Sequence, residues 1–292
     1  MTMSLVGIIF GISFFIVTQA QTSGFQTYFI RTILGTNGAI RISDRFHDMT
    51  GTVNKVSKDG VFKFQFNIQE DAEYVEGVDY PEKLRNALAQ FPSIKGISEV
   101  FECNAELQTK SRNYSVQVHG IKISDHINVS EIENQIRHGS IENFLSDKMG
   151  ILIGNRIAER LNLHVNDRVN VVGNQGNFQL RVSGVFETGV SEIDKKRIYL
   201  SLSTSRSIAG KRFGGSIFQL GMFDPQDAPS VATQIQHTLG HRTVSWQERE
   251  KVWLDVFKAL RISSAITVST ILLLSGLGMF NVFAIMVIEK TR

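Results

Sequence analysis

Few side chains in this sequence could do chemistry, and their spacing does not gather them. The seven histidines lack the spacing of a metal-ligand motif. His119 and His126, seven apart among polar neighbours, read as surface or internally satisfied histidines. Cys103 is the only cysteine, which leaves neither a disulfide framework nor a thiolate metal site and suits a small buried side chain. Glu187, Glu192 and Asp194 cluster near a turn with Lys195, Lys196 and Arg197, most simply a solvated loop. No GxxxxGK[ST] phosphate loop occurs, and Gly173 and Gly176 suit a hairpin better than a phosphate cradle. A GxSxG nucleophile elbow is also missing. The expectation is a chain that is not an enzyme, with no catalytic, metal or cofactor-binding residue of its own. A net charge of +3 and no basic run interleaved with aromatics argue against nucleic acid.

The elements that would hold any site are dominated by one stretch. Ile262 to Ile288 runs 27 residues without Asp, Glu, Lys or Arg. At helical rise that is about 40 Å, more than the roughly 30 Å of bilayer hydrocarbon, so it reads as a membrane span. Trp246 and Trp253 on the approach, and Glu289-Lys290-Thr291-Arg292 after it, suit the two interfaces. Around the helix, Ser263, Thr267, Thr270, Gly278 and Asn281 fall on one side, whereas Leu272, Leu273, Phe280, Phe283 and Val287 lie largely elsewhere. Small and polar side chains in lipid mark a face that packs on another helix, or else hydroxyls that bond their own backbone.

The other end is apolar too. Residues 1–30 carry no Asp, Glu, Lys or Arg, and Leu5 to Ala20 reads as a first span. Gly7 and Gly11 form a GxxxG, with Thr18 near the same side, again a helix-packing face. A cleaved signal peptide ending at Ala20 is the rival reading, but it lacks the positively charged start such peptides carry. Two spans would put both termini on one side, and the charges beside them do not say which.

Between the spans the sequence reads as an α+β domain over 36–245. Gly38–Ser43 and Val61–Ile68 alternate as strands, and Tyr80-Pro81 opens a helix to about Gln90. Ile97–Glu106, Tyr114–His119, Ser216–Phe223 and Thr243–Trp246 read as strands and Ala228–Leu239 as a helix. This makes a β-α-β subdomain of 36–120 plus 214–245. An insert, 121–213, is β-rich, with a helix at Asn155–Leu161, a hairpin of Arg168–Val172 and Phe178–Val182, and short strands at Gly184–Glu187 and Arg197–Leu200. The remainder divides into a first transmembrane helix (1–24), a stalk (25–35), a second stalk (246–261) expected to run unbroken into the second transmembrane helix (262–288), and the start of a loop (289–292).

Several stretches in order resemble the lipoprotein-releasing ABC transporter permeases of the LolC/LolE type, within the FtsX/MacB permease superfamily. The most specific is Gly150-Ile151-Leu152-Ile153-Gly154-Asn155-Arg156-Ile157-Ala158-Glu159-Arg160-Leu161, continuing through Asn166-Asp167-Arg168-Val169, with Asn166 where the family usually has Gly. Val182-Ser183-Gly184-Val185-Phe186-Glu187-Thr188-Gly189, then Asp194 and Ile198-Tyr199-Leu200, match a second motif. Ser23-Gly24-Phe25 and Ile33-Leu34-Gly35 match the exit from the first span, and Glu289-Lys290-Thr291-Arg292 the start of the cytoplasmic loop.

The resemblance implies a multi-pass protein of the bacterial inner membrane, with cytoplasmic termini and a periplasmic MacB-like core domain. It implies a dimer of permease subunits, homo- or heterodimeric, working with a cytoplasmic ABC ATPase dimer that binds the ATP. Lipoprotein substrate, membrane lipid and a periplasmic carrier would be the other partners. Glu289, Lys290, Thr291 and Arg292 would begin the ATPase-coupling loop. Family members have four spans, so the chain would be a piece of a longer permease or the product of a split or decayed gene. Two alternatives remain: an FtsX/MacB-type mechanotransmitter serving efflux or activating a hydrolase, and a two-span anchored binding or sensor protein.

Overall fold

The structure is a computed structural model that describes residues 2–45, 77–78, 80–109, 112–211 and 214–291. The strand expected at Val61–Ile68 lies outside the described residues. The helices are α1 (Thr2–Asn37), α2 (Pro81–Leu88), α3 (Ile123–His126), α4 (Ile132–Gln135), α5 (Ile141–Ser146), α6 (Asn155–Leu161), α7 (Ser191–Asp194), α8 (Leu202–Ala209), α9 (Ala228–Leu239), α10 (Trp246–Arg249) and α11 (Lys251–Lys290). The strands are β1 (Ile40–Arg45), β2 (Ile94–Gln108), β3 (Asn113–Ile121), β4 (Ile136–Gly139), β5 (Gly150–Gly154), β6 (Arg168–Gly173), β7 (Gly176–Phe186), β8 (Arg197–Ser201), β9 (Ser216–Met222) and β10 (His241–Ser245). The chain divides into two compact units, Met1–Arg31 with Arg249–Arg292, and Thr32–Glu248.

The helical unit is an antiparallel pair. Phe29 packs its ring 5.7 Å from Phe257 and 5.3 Å from Trp253, and Phe25 lies 5.8 Å from Phe257. Arg261 donates to Gln26 Oε1 at 2.9 Å. α11 meets α1 through a line that includes Phe257, Ser264, Val268, Ile271, Ser275, Met279 and Val282, the least exposed positions on that helix. Their spacing of three and four keeps one stripe of a straight helix facing its neighbour. α1 runs unbroken through the expected first stalk. The second approach does break: Trp246–Arg249 is a separate turn, Glu250 leaves helical geometry at ψ 18°, and α11 starts at Lys251.

Trp246 accordingly belongs to the other unit and is no membrane-interface anchor. It is buried, and its indole donates to Pro225 O at 2.8 Å. A buried indole needs a partner for its N–H, and the Pro225 carbonyl supplies it.

The second unit is a mixed sheet of ten strands in the order β10-β1-β9-β2-β3-β8-β5-β7-β4, with β6 pairing both β2 and β7. That double pairing closes a circuit, β2-β3-β8-β5-β7-β6 and back to β2, so the insert and its flanking strands form a small barrel. Each strand turns alternate apolar residues into its interior: Leu107, Val118, Ile198, Ile153, Val182 and Val171 share one buried cluster. Helix α8 adds Ile208 to that cluster. The insert therefore shares β2 and β3 with the rest of the sheet rather than standing apart, because β2 is 15 residues long and serves both. On the outer face, α3, α4 and α5 cover a second cluster that includes Ile132, Phe144, Leu152 and Phe186.

Asn166 has φ 76°, a left-handed conformation that Asn tolerates better than most side chains, which explains how it stands where the family has Gly. The hairpin between β6 and β7 turns at Gly176, φ 114°.

Candidate functional site

Two places in the fold present groups that could act. One is the open surface of the helical unit. Gly11 is buried, and a Cβ there would sit 3.0 Å from Ile271 Cγ2, so the absent side chain lets the helices approach. Gly7 lies in α1. Thr18, Thr267 and Thr270 bond the carbonyls of Phe14, Ser263 and Ile266 in their own helices. Ser263, Thr267, Thr270, Gly278 and Asn281 are exposed on α11, away from the line that meets α1. Around them Leu273, Leu274, Leu277, Phe280, Ile285, Val287 and Ile288 are also exposed. Among the described residues, α11 is the helix long and apolar enough to cross a membrane. It ends at Lys290, where Thr291 N–H and Oγ1 bond Val287 O at 3.2 and 2.7 Å. Glu289 and Lys290 are exposed beside it, and Arg292 lies outside the described residues.

The other place is a polar cleft of about 360 Å³ on the outer wall of the barrel, lined by Arg41, Glu102, Cys103, Asn104, Gln117, His119 and Arg197. The register builds it. Glu102 lies opposite His119, which lies opposite Tyr199; two residues on, Asn104 lies opposite Gln117, which lies opposite Arg197. The period of two puts both rows on one face, while Val118 and Ile198 between them point into the barrel. Arg41 forks onto Glu102 with bonds of 3.1 and 2.7 Å. Arg197 donates to Asn37 Oδ1 at 2.8 Å and Tyr199 OH at 3.2 Å.

His119 and His126 are both buried, with their rings 5.9 and 5.7 Å from that of Tyr199. Burial first, then the Arg197 charge, holds the His126 imidazole down at about 3. The same causes push His119 well below its ordinary value, with smaller contributions from His126 and Arg41. His126 Nδ1 bonds Ser98 Oγ at 3.0 Å, and its Nε2 is buried without a hydrogen-bond partner. Of the two expected readings, surface or internally satisfied, burial removes the surface one for both rings. Burial likewise raises the Cys103 thiol to about 11, so it stays protonated.

Asp194 corrects the expectation of a solvated loop. It is buried and accepts from Thr188 N at 2.9 Å and Thr188 Oγ1 at 2.8 Å, closing the turn after β7. Burial raises its carboxyl above the usual range against those hydrogen bonds, which lower it. Glu187 instead pairs with Arg137 at 2.9 Å, and Glu192 sits in solvent near Lys195 and Lys196. Among the described residues no group of three His, Cys, Asp or Glu is placed to hold a metal.

The model of the MacB-like periplasmic core domain family matches residues 1–238. The chain belongs to that family. LolC, the lipoprotein-releasing system transmembrane protein of Xylella fastidiosa strain Temecula1, is 24% identical over 99% of this chain and 64% of its own length. The Neisseria meningitidis LolC is 23% identical over 61% of this chain and 45% of its own. The chain thus spans between about half and two thirds of these relatives. The chain is similar to LolC-type transmembrane proteins and carries a MacB-like periplasmic core domain. The periplasmic region of MacB from Actinobacillus actinomycetemcomitans covers 75% of the chain and 94% of its own at 11% identity and TM-score 0.45. The extracellular domain of YknZ from Gram-positive bacteria gives 57%, 89%, 15% and 0.42 in the same order.

The cleft escaped the sequence reading because its rows come from strands β2, β3 and β8, and only the register aligns them. A usable signal was present: polar residues at every second position of β2 and β3, Glu102-Asn104 and Gln117-His119, opposite apolar ones.

Proposed function

We propose that this chain is the N-terminal part of a permease subunit of an ATP-driven ABC transporter that releases lipoproteins from the inner membrane. The observation that carries this reading is α11, whose apolar stretch is largely exposed, following a MacB-like core domain in a chain that the Xylella fastidiosa LolC matches along 99% of its length. α1 and α11 span the membrane, with the core domain periplasmic and the termini cytoplasmic. The exposed face of Ser263, Thr267, Thr270, Gly278 and Asn281 packs on a further helix or a second permease subunit, as does the Gly7, Gly11 and Thr18 face where α11 leaves it open. Glu289 to Arg292 lead into the segment that meets the cytoplasmic ATPase dimer. ATPase motion at the cytoplasmic ends passes along the helices to the periplasmic domain, which hands the lipoprotein to a carrier. No group in the chain performs catalysis, and ATP is bound by the partner.

The name of the family model favours a second reading, mechanotransmission of the MacB type without lipid release. One experiment separates them. The chain is expressed with the ABC ATPase and any permease subunit encoded beside it, purified, and placed in proteoliposomes with an acylated lipoprotein. ATP-dependent transfer of that lipoprotein to a soluble carrier is the expected result. ATPase capture without transfer favours mechanotransmission, and no ATPase capture removes the motor from both.

A further inference from the structure

We propose that the cleft on the barrel's outer wall binds an oxyanion of the phosphate type, free or carried on a lipid headgroup, with Arg197 as its charge partner. The half-buried arginines Arg41, Arg85 and Arg206 of this unit each face a carboxylate: Glu102 at 2.7 Å, Asp125 at 2.9 Å and Glu99 at 3.0 Å. Arg197 differs. It donates to the neutral oxygens of Asn37 and Tyr199, and among the described residues no carboxylate lies within ion-pair distance of it. A guanidinium keeps its charge at any physiological pH, and a half-buried one without a counter-anion favours whatever anion can reach it.

The surroundings allow an anion to reach it. Gln117 and Asn104, the neighbours of Arg197 in its row, are exposed and offer amide N–H donors on the same face. Glu102, the carboxylate that lines the cleft, is already engaged by Arg41 through both oxygens. His119 at the cleft floor is buried and neutral, and so adds no competing charge. The Tyr199 ring, with the Arg197 guanidinium carbon 5.9 Å from its centroid, fixes the cation's position from behind. A volume of about 360 Å³ exceeds that of a bare oxyanion and falls in the range of small-molecule sites, so a headgroup fits as well as a free ion. The fork of N–H donors on guanidinium matches the tetrahedral oxygens of a phosphate.

The test uses the full chain in neutral detergent. Inorganic phosphate is titrated in one arm and monomeric short-chain phosphatidylglycerol in the other, following the backbone amide resonances of Val118 and Ile198, which flank the cleft and persist in every variant. A saturable shift with either probe, weakened at least tenfold in Arg197→Gln and partly kept in Arg197→Lys, is the expected result. Tighter binding of the lipid identifies a headgroup, and equal binding a free oxyanion. Gln117→Glu guards against loss of fold: the position is exposed, and its carboxylate would occupy Arg197 in place of the probe. Folded Gln117→Glu protein is expected to lose the response as fully as Arg197→Gln. No saturable shift in the native chain, or a Gln117→Glu chain that binds as the native one does, overturns the proposal.

Discussion

The two compact units use the same apolar residues in opposite ways. In the sheet unit Leu152, Ile153, Val182 and Ile198 are at 0% exposure, whereas in α11 Leu273 and Phe280 are each at 69%. Charge is handled just as differently. The sheet unit admits buried ionisable groups where they are paired or hydrogen-bonded, as Glu99 is with Arg206 and Asp194 with Thr188, while the apolar stretch of α11 contains none. One unit excludes water from its inside, and the other leaves its apolar side chains on its outside, the arrangement that an apolar solvent would favour.

The largest expected effect breaks the charge half of this contrast. Glu99 accepts from Arg206 at 3.0 Å and from Ser216 Oγ at 2.6 Å. Glu99→Ala would leave a mostly buried guanidinium without that carboxylate, and a loss of about 4 kcal/mol is expected in chemical denaturation. Next comes Leu152→Ala, which opens a cavity between the outer helices and the barrel. About 3 kcal/mol should be lost, while Leu274→Ala in α11 should leave the same denaturation midpoint unchanged. A matching loss in Leu274→Ala would mean that α11 is a core helix.

Leu274→Arg sharpens the point from the other side. An arginine near the middle of the span costs about 3 kcal/mol of insertion, so the membrane-extracted fraction should rise without loss of the folded sheet unit. The smallest effect is acid sensitivity. The unfolded His126 binds its proton near 6.5, the folded one only near about 3. Its contribution to stability is therefore complete above pH 6.5 and is lost as the pH falls toward 3. The slope would be about 1.4 kcal/mol per pH unit. His119 acts in the same direction. Denaturation midpoints at pH 7.5 and 5.5 should diverge for the native chain and lie closer together in His126→Leu, with the remaining gap set by His119.

Much of the fold was legible because it is written in local periodicity. The helix Ala228–Leu239, the β6–β7 hairpin and the long apolar helix at the end all follow from spacing alone. What escaped was set by pairing between distant segments. Nothing near β6 in the chain says that Val172 will lie opposite Glu106 and close a barrel. Burial of His119, His126 and Asp194 was hidden for the same reason: each has polar sequence neighbours, and only the fold wraps apolar side chains around it. Trp246 misled in the other direction, since its place before an apolar stretch suggested an interface that Pro225 fills instead. Of the candidate surfaces, the small-residue face of α11 could be read at helical period, whereas the Arg197 cleft required the register of three strands.

The account rests on α11 carrying the chain across a membrane with the sheet unit on the periplasmic side. In a Cys103→Ser background, Gln117→Cys and Thr291→Cys each place one exposed thiol, the first on the barrel wall and the second after α11. With a membrane-impermeant maleimide on intact spheroplasts, Gln117→Cys should label at once and Thr291→Cys only after permeabilisation. Labelling of both, or of neither, before permeabilisation would place the two positions on one side and contradict the account.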